Sequence, residues 1–445
     1  MTARRRPQPF SPAGLVARLS ALRDIRRFRV AYSGGRDSHV LLHALAQRRA
    51  ALPPLEAVHV DHGLQADSSA WARHCAAACA ALDIPLVSLK VAAHPLAGEG
   101  PEAAARRARY AALAERMMPG DCLLTAHHQD DQAETLLLQL LRGGGPHGLA
   151  AMAEVSAFAG GWHARPLLDV AREELQRYAD EQALCWIEDP SNADPSFDRN
   201  YLRHEVMPLL EARWPAAARV MARGARHQAE AAQLLDDVAA QDLAGCRAGD
   251  HGLHIPALLG LSPARRRNVL RHWLKSGAYP PPDSVRLAQI EETLLQAAPD
   301  RMPAVHWPGV VVRRYRDGLF ALPPRAAVDA RLRLPWDMNA PLSLPDGTTL
   351  SAVAVRGAGV KAALCREQAV TVRYRQGGEH CRPGPRAADR TLKHLLQEAG
   401  VPPWERERLP LIYVGERLAA VADYWVCAPC GADGDEPGLR IAWQN

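Results

Sequence analysis

The sequence predicts an α/β protein in which an N-terminal doubly wound parallel sheet is followed by a helical domain and a small C-terminal α+β domain. Short apolar strands alternate with Ala-rich helical stretches over the first part of the chain, as in a parallel sheet covered by helices. An Ala- and Arg-rich helical region begins at Trp214-Pro215, and a β-like tail rich in Pro and Gly begins at Pro323-Pro324. We therefore expect domains at residues 1–215, 216–330 and 331–445.

The elements of the first domain follow one another in a regular order. Leu15, Leu19 and Leu22 lie at helical spacing, which predicts a helix before the first strand. Apolar runs then predict strands at residues 28–32, 58–60, 85–91 and 122–125. Ala-rich stretches between them predict helices at residues 38–50, 66–82 and 101–118, with another helix starting near residue 130.

The turn after the first strand carries the string Ser33-Gly34-Gly35-Arg36-Asp37-Ser38. Two glycines let the backbone approach an anion, and the next helix offers unpaired N–H groups to a phosphate. Asp37 would repel phosphate, which indicates a divalent cation between the carboxylate and a nucleotide. A glycine turn capped by Asp37 or Ser38 is the structural alternative. The full string resembles the pyrophosphate loop of the ATP pyrophosphatases and lacks the GxxxxGK[ST] pattern of a Walker loop.

A second polar cluster runs from His127 to Thr135. A helix here puts Asp131, Glu134 and Thr135 on one face. Two histidines and three acids are a ligand set for a transition metal, while Asp131 and Glu134 equally fit a capping box. Ligands of open parallel sheets bind beyond the carboxyl ends of the strands, so this cluster and Asp61-His62-Gly63 should lie near the loop. The acids there would hold Mg²⁺ or the cation of an amine substrate, and the sequence leaves both roles open.

Composition indicates a cytoplasmic protein with no membrane segment. Hydrophobic residues at 48% and charged residues at 23% are ordinary for globular proteins, and no apolar run has the length of a bilayer span. The net charge of +5 permits a nucleic-acid partner. Between Leu261 and Arg325, eleven Lys or Arg face five Asp or Glu, with basic clusters at Arg265-Arg266-Arg267 and Arg313-Arg314-Tyr315-Arg316. These clusters suit an RNA backbone, and a solvated helix face is the alternative.

The nine cysteines show no disulfide pattern, and we expect them to be reduced. Cys427-Ala428-Pro429-Cys430 lacks the second ligand pair of a zinc site, which predicts two ordinary thiols. Cys75 and Cys79 share a helix face and are predicted to lie in the core.

Longer strings also stand out along the chain: Tyr32 to Leu42, Val58 to Leu64, Ala105 to Tyr110, Ala126 to Thr135, Arg165 to Leu168, Trp186 to Asn192, Arg199 to Arg203, Val372 to Arg375, Gly378-Glu379, Lys393, Pro403 to Arg406 and Pro410 to Ile412. They occur in the order and spacing of the tRNA(Ile)-lysidine synthetase family, which this chain resembles over nearly its whole length. The match is weakest between Ala216 and Arg325. Arg36 occupies a variable loop position, and Asp61 stands where a histidine is also common.

The resemblance implies a two-step ligation on the wobble cytidine of a minor tRNA(Ile) with a CAU anticodon. ATP adenylylates the C2 carbonyl oxygen and pyrophosphate leaves. Free L-lysine then displaces AMP through its ε-amine and forms lysidine, which changes the codon and amino-acid identity of the tRNA. ATP and Mg²⁺ are the implied cofactors, and a homodimer is a possible assembly.

The resemblance also implies residue roles. Asp37 would be the metal ligand, and Arg106 and Arg109 would neutralise phosphate oxygens or steer the tRNA backbone. Asp131, ahead of Glu134, would bind the lysine ammonium and assist its deprotonation. The expected ATP-binding residues are Ser33, Gly34, Gly35, Arg36, Asp37 and Ser38, and the expected tRNA-binding residues are Arg203, Arg265, Arg266, Arg267, Arg373 and Lys393.

Three other functions remain open at this point. A tRNA sulfurtransferase should show a catalytic or iron–sulfur cysteine near the nucleotide domain, and Cys427 and Cys430 lie far along the chain. A glutamine-dependent amidating ligase should show an N-terminal Cys or a glutaminase-like region, and neither is visible. A non-catalytic RNA-binding protein would leave the loop and the acidic cluster without a role.

Overall fold

The computed structural model describes residues 10–61, 68–92, 94, 100–249, 252–298, 300–325, 328–384 and 387–444. The chain divides into two units, Met1–Asp237 and Val238–Asn445. The boundary lies within the helix Ala217–Cys246. No helix in the described ranges is both long and apolar enough to cross a bilayer.

A six-stranded sheet organises the first unit. Its strands are β1 (Arg27–Ala31), β2 (Leu55–Asp61), β3 (Leu86–Lys90), β4 (Asp121–Leu124), β5 (Val155–Phe158) and β6 (Gly161–Ala164). The order is β3-β2-β1-β4-β6-β5, and every neighbouring pair is parallel except β5 with β6. All four residues of β4 are buried, because helices cover both faces of a parallel sheet. The predicted doubly wound fold is confirmed.

Helices surround this sheet. They are α1 (Pro12–Leu19), α2 (Arg36–Ala46), α3 (Ser68–Ala81), α4 (Pro101–Glu115), α5 (Gln129–Leu141), α6 (Pro146–Leu149), α7 (Arg172–Glu181), α8 (Asp198–Tyr201), α9 (Met207–Arg213) and α10 (Ala217–Cys246), with a π-helical turn at Leu202–Val206. Ser11 caps α1 by accepting from the N–H of Gly14, and Leu15 and Leu19 are buried as their spacing predicts. Of the predicted segment Asp61-His62-Gly63, Asp61 ends β2 and the other two residues lie outside the described ranges.

The second unit begins with a five-stranded antiparallel sheet. Its strands are β7 (Arg247–Ala248), β8 (Gly252–His254), β9 (Ala304–Trp307), β10 (Val310–Tyr315) and β11 (Gly318–Leu322), in the order β7-β8-β11-β10-β9. Three helices, α11 (Ile255–Gly260), α12 (Pro263–Ser276) and α13 (Ser284–Gln289), accompany it with a π-helical segment at Ile290–Leu295. The description of residues 216–330 as helical is therefore incomplete. The β-branched run at residues 310–312 pairs on both sides and forms the centre of this sheet.

The remainder of the second unit is α+β, as predicted. One sheet has the order β12-β16-β19-β20-β21, another has the order β13-β14-β22-β15, and β17 pairs with β18. The strands are β12 (Arg333–Pro335), β13 (Leu342–Ser343), β14 (Thr349–Arg356), β15 (Val360–Lys361), β16 (Val370–Arg373), β17 (His380–Cys381), β18 (Arg390–Thr391), β19 (Leu411–Val414), β20 (Arg417–Val421), β21 (Trp425–Val426) and β22 (Pro437–Gln444). The helices are α14 (Ala362–Glu367), α15 (Leu392–Glu398) and α16 (Pro403–Arg406).

One cysteine prediction is wrong. Cys427 is not an ordinary thiol, because it forms a disulfide with Cys381 at a Cα–Cα distance of 5.3 Å. The two cysteines are 46 residues apart in sequence and meet in a small apolar cluster of the C-terminal part, a proximity that their spacing does not reveal. Cys430 is a buried free thiol, and Cys75 and Cys79 lie in the core of the first unit as predicted.

Candidate active site

The loop from Ser33 to Ser38 leaves the carboxyl end of β1, next to the centre of the sheet. Gly34 has a φ of 84°, and a Cβ at this position would lie 2.9 Å from Cys75 Sγ. A residue larger than glycine would therefore be strained in two ways. The N–H of Ile187 donates to the carbonyl of Gly34 at 3.0 Å, which ties the Trp186 to Asn192 segment to the loop.

Two serine hydroxyls hold the loop in a closed turn. Ser33 Oγ lies 3.0 Å from Ser38 Oγ and accepts from the N–H of Gly35 at 3.3 Å. Ser38 Oγ donates to the carbonyl of Gly35 at 2.9 Å. Helix α2 then begins at Arg36, and the first N–H groups of a helix lack intrahelical acceptors. A loop and helix start of this kind offer several N–H donors to an anion.

Asp37 lies between a guanidinium and an imidazole. Arg36 Nε donates to Asp37 Oδ1 at 2.8 Å, and His128 Nε2 lies 3.5 Å from Asp37 Oδ2. Burial acts to raise the pKa of Asp37, but the hydrogen bond and charge of His128, together with Arg36, outweigh it and hold the pKa below its ordinary value. Asp37 is thus a partly exposed, ionised carboxylate within the loop.

His128 is buried among three carboxylates. Its Nε2 lies 3.6 Å from Asp131 as well as 3.5 Å from Asp37, and its Nδ1 lies 3.4 Å from Asp130. Burial acts to lower the pKa of His128, but these carboxylates outweigh it and raise the pKa to about 10. The imidazolium therefore connects the loop to the first turn of α5.

Asp131 also accepts from the N–H of His128 at 2.9 Å. The capping box at the start of α5 consequently pairs His128 with Asp131, and the sequence-based pairing of Asp131 with Glu134 is wrong. In the described ranges, no group of three or more His, Cys, Asp or Glu side chains is arranged to hold a metal ion. The transition-metal interpretation of this cluster lacks support, because Arg199 and Arg203 already pair with the carboxylates of Asp131 and Glu134.

Two arginines bind the carboxylates of Asp131 and Glu134. Arg199 donates through Nη2 to Asp131 Oδ1 and through Nε to Glu134 Oε2, both at 2.9 Å. Arg203 donates to Asp131 Oδ1 at 3.0 Å and to Glu134 Oε1 at 2.7 Å. Burial acts to raise the pKa of Asp131, but the charges of His128 and Arg199 outweigh it and hold the pKa well below its ordinary range. Both acids sit in an ion-pair network with little net charge.

Arg106 and Arg109 lie one turn apart on α4, and both guanidinium groups are near the ring of Tyr110. The Arg106 guanidinium is 4.9 Å and that of Arg109 is 5.9 Å from the Tyr110 ring centroid. Burial lowers the pKa of His127, and the Arg106 charge acts in the same direction, so Arg106 lies close enough to affect a residue just beyond β4.

The basic triplet on α12 is engaged in ion pairs. Arg265 pairs with Asp242, while Arg266 Nε and Arg267 Nη1 bond to the two carboxylate oxygens of Glu291 at 2.9 and 3.1 Å. Only 14% of the Arg266 side chain is exposed, compared with 53% for Arg265 and 40% for Arg267. The triplet is therefore not a uniform phosphate-binding face.

The other expected tRNA-binding residues occupy different surroundings. Arg203 lies in the candidate active site, bound to Asp131 and Glu134. Arg373 pairs with Glu416 at 2.7 Å and lies 4.3 Å from the Tyr413 ring centroid. Lys393 is exposed on α15. From the second basic cluster, Arg314 is buried and donates to the carbonyls of Leu294 and Leu295, so it stabilises the fold.

Sequence reasoning missed Arg199 and the residues around Thr125. Arg199 and Arg203 have the i, i+4 spacing that places two side chains on one helix face, and this spacing was a usable signal. The contacts of Thr125 with His163 connect positions 38 residues apart, and no local pattern predicts them.

A parallel α/β sheet that carries a glycine loop beyond its first strand, beside an ionised carboxylate, defines a nucleotide-binding domain of the PP-loop class. The PP-loop domain model matches residues 13–210. A TilS substrate binding domain model matches residues 253–320, and a TilS substrate C-terminal domain model matches residues 370–443.

Three relatives match nearly the full length. The tRNA(Ile)-lysidine synthase of Alkalilimnicola ehrlichii is 46% identical and covers 98% of this chain and 97% of the relative. The synthase of Coxiella burnetii is 42% identical with the same coverage, and that of Methylococcus capsulatus is 41% identical over 94% of this chain and 96% of the relative. The chain belongs to the tRNA(Ile)-lysidine synthase family.

Proposed function

We propose that this protein ligates free L-lysine to C2 of the wobble cytidine in the CAU anticodon of a minor tRNA(Ile), with ATP cleaved to AMP and pyrophosphate. Family membership supports the reaction class. One observation carries the proposal: His128 joins Asp37 of the pyrophosphate loop to Asp131 of α5 within 3.6 Å. Groups suited to a phosphate and groups suited to an amine cation thus share one end of the sheet.

In the first step, the C2 carbonyl oxygen of cytidine attacks the α-phosphorus of ATP and pyrophosphate leaves. The backbone N–H groups and the hydroxyls of the loop hold the leaving pyrophosphate, as anion-binding helix starts do. Arg106, exposed on α4, neutralises phosphate oxygens, and Arg109 supports it or steers the tRNA backbone. The adenylylated oxygen is then a good leaving group.

The donor set around Asp37 fits Mg²⁺. This ion prefers hard oxygen ligands, keeps several waters and binds through one or two carboxylates together with substrate phosphates. Asp37 is ionised and partly exposed in the loop, so it would hold Mg²⁺ together with the nucleotide. When bound, the ion supplies charge neutralisation at the phosphates.

In the second step, the ε-amine of lysine attacks C2 and AMP leaves with the oxygen. Asp131 receives the lysine ammonium and assists its deprotonation, and Glu134 is the second candidate. A carboxylate has about four acceptor positions. Asp131 accepts three hydrogen bonds, from Arg199, Arg203 and the N–H of His128, and the ammonium would take the fourth position, which His128 Nε2 faces at 3.6 Å. Arg199 and Arg203 hold both carboxylates in place, and we assign Arg203 this role ahead of tRNA binding.

The tRNA backbone is bound by basic groups that remain exposed. Lys393 and the more exposed arginines of α12, Arg265 and Arg267, are the first candidates. Arg266 and Arg373 contribute indirectly, since each is held against an acidic partner.

The test uses two transcripts of one tRNA(Ile) that differ only in a CAU or a GAU anticodon. We expect ATP–pyrophosphate exchange with the CAU transcript alone, and incorporation of radiolabelled lysine at the wobble nucleotide after nuclease digestion. Exchange without lysine incorporation would contradict the ligation and favour another modification on the same adenylylated intermediate.

A tRNA sulfurtransferase is the alternative; Cys185 is an exposed free thiol, but two other cysteines are unsuited to the role. Sulfur transfer needs a reactive thiolate, which requires a low pKa and access. Cys75 beneath the loop is buried, and burial raises its pKa to about 12. Cys427 is in a disulfide.

The substrates place the proposed reaction in the cytoplasm, where tRNA, ATP and free lysine occur together. A homodimer is the proposed assembly. Exposed apolar side chains on α9 and α10, among them Leu209 and Leu234, support it. Light scattering during size-exclusion chromatography tests it, and a monomer mass would contradict it.

A further inference from the structure

Three polar side chains beside the active site form a hydrogen-bonded chain that ends on His127. Arg165 Nη2 lies 3.1 Å from His163 Nδ1. His163 Nε2 lies 2.9 Å from Thr125 Oγ1, which lies 2.8 Å from His127 Nδ1. Thr125 and His163 are buried, and none of the three has a role in the reaction described above.

The direction of the hydrogen bonds follows from Arg165. A guanidinium can only donate, so His163 Nδ1 accepts. Burial, together with the charges of Arg165 and Arg106, lowers the pKa of His163 to about 3. The ring is therefore neutral at pH 7 and carries its single proton on Nε2. His163 Nε2 consequently donates to Thr125 Oγ1.

The Thr125 hydroxyl continues the same donor-to-acceptor direction as far as His127. Across the described part of the chain, Thr125 Oγ1 contacts two hydrogen-bond partners, the rings of His163 and His127. Because it accepts from His163, its own proton goes to His127 Nδ1. Burial lowers the pKa of His127 to about 3, with Arg165, Arg199 and Arg106 acting in the same direction against Asp131. This ring is neutral too, and its proton lies on Nε2.

We propose that Thr125, His163 and Arg165 are positioning residues that fix His127 in its Nε2–H tautomer, so that His127 offers the bound nucleotide a neutral N–H donor. His127 lies beyond the carboxyl end of β4, the strand adjacent to β1 and its loop. A fixed N–H donor suits an anionic phosphoryl oxygen, whose charge must be stabilised while pyrophosphate leaves. This inference deepens the proposed function and rests on its adenylylation step.

Thr125→Val removes the hydroxyl at nearly constant shape, and Thr125→Ser restores it. We expect the rate of adenylylated-tRNA formation at saturating ATP and tRNA to fall about 10- to 100-fold in Thr125→Val, the scale of losing a partner that orients an active-site ligand. The rate should recover in Thr125→Ser, and the lysine KM should stay unchanged in both. Thr348→Val is the matched control, because it removes a buried hydroxyl that accepts from Trp443 in the second unit.

Nitrogen NMR of the full chain with ¹⁵N-labelled histidine reads the tautomer directly. His127→Gln and His163→Gln assign the two rings. We expect the Nε2–H tautomer at both rings in the wild type, and a mixture of tautomers at His127 in Thr125→Val. If Thr125→Val does not fold, Arg165→Gln breaks the chain at its far end and should give the same mixture.

A wild-type His127 that is protonated or carries its proton on Nδ1 at pH 7.5 would overturn the inference. A wild-type rate in a folded Thr125→Val variant would overturn it as well. The tautomer measurement needs no substrate. It therefore still decides this inference if the wild type forms no adenylylated tRNA, which would be a failure of the proposed function itself.

Discussion

The neighbouring histidines His127 and His128 differ in charge, one neutral and one cationic, because their surroundings differ. Three carboxylates raise the pKa of His128 to about 10, whereas burial and nearby arginines lower that of His127 to about 3. Identical side chains one residue apart thus become a cation that links the acids and a neutral ring beside the nucleotide loop. The assignment of roles at this site depends on such individual environments, and two substitutions test it at the residue scale.

Asp37→Asn should reduce pyrophosphate release by at least about 100-fold, the scale of losing one charge-stabilising group in a reacting site. The substitution removes the negative charge that would hold Mg²⁺ and keeps the side-chain shape. Binding of tRNA, measured by filter retention, should remain close to wild type. Asp83→Asn is the control, since it changes an exposed acid of the same unit that pairs with Arg49. A wild-type rate of pyrophosphate release would refute the metal role.

His163→Gln should make the protein less sensitive to acid. The folded pKa of His163 is about 3, below the ordinary value of 6.5, so the unfolded chain takes up the proton first as the pH falls. Stability is therefore complete above pH 6.5 and declines towards pH 3, by at most about 1.4 kcal/mol per pH unit for this group. Urea midpoints between pH 7.5 and 4.5 should fall less steeply in the variant. Exposed His147→Gln is the control, and parallel curves for His163→Gln and wild type would contradict the prediction.

At the scale of elements, α5 and the π-helical turn after α8 act as one unit. The first turn of α5 supplies Asp131 and Glu134, and the segment from α8 into the π-helical turn supplies Arg199 and Arg203. The four side chains make five hydrogen bonds that bind both carboxylates inside the protein. Removing one charge should leave an unpaired buried group and therefore affect stability as well as binding.

Asp131→Asn should raise the lysine KM by roughly 10- to 100-fold, which corresponds to about 1.5–3 kcal/mol for a charge-assisted hydrogen bond. Formation of adenylylated tRNA should survive better than ligation, because the loop and Asp37 remain intact. Thr135→Val is the matched control on the same helix, since Thr135 Oγ1 bonds to the carbonyl of Asp131. Equal loss of adenylylation and ligation would indicate that Asp131 is a metal ligand. Normal kinetics together with a loss of about 1 kcal/mol in stability would indicate that Asp131 only caps helix α5.

The elements of the first domain were predictable because each buried strand is an apolar run with a helix on either side. Observed β1 and β4 begin one residue before the predicted strands and end one residue before them. The charged groups were less predictable. Arg199 meets Asp131 across 68 residues, and only the folded chain brings them together. Arg266 and Arg314 looked like phosphate ligands in the sequence, but tertiary packing gives each an internal acceptor.

Two substitutions on the basic helix α12 should have different effects, one on protein stability and the other on tRNA binding. Arg266→Ala should lower the free energy of unfolding by about 1.5–3 kcal/mol, because Arg266 is largely buried against Glu291. Arg267→Ala, on the exposed side of the same acid, should instead weaken tRNA binding and lower its salt slope by at most about 0.7–0.9 per phosphate contact. Filter binding at several salt concentrations and urea unfolding measure both effects. An unchanged salt slope in Arg267→Ala would show that Arg267 only belongs to a solvated helix face and contacts no phosphate.

At the scale of the whole molecule, the chemistry and the family's substrate domains occupy different parts of the chain. The proposed catalytic residues belong to the first unit. The two matched TilS domains belong to the second unit and meet around Trp404 of α16. The Trp404 ring lies 6.0 Å from the Tyr315 ring and 5.6 Å from the Phe320 ring, and Arg406 donates to the Tyr315 hydroxyl at 2.9 Å. This contact fixes the five-stranded sheet against the C-terminal part.

Trp404→Ala should raise the tRNA KM with little change in the lysine KM or the ATP KM, because it loosens two substrate domains and leaves the loop and α5 intact. Removing a large packed aromatic side chain should also cost up to about 3 kcal/mol of stability. Trp404→Phe keeps an aromatic ring against Tyr315 and should restore most of the tRNA affinity. Trp425→Ala is the matched control, because it destabilises a cluster around the disulfide in the same C-terminal part. If both Ala variants raise the tRNA KM equally, general destabilisation explains the effect and the contact has no specific role in holding the two domains.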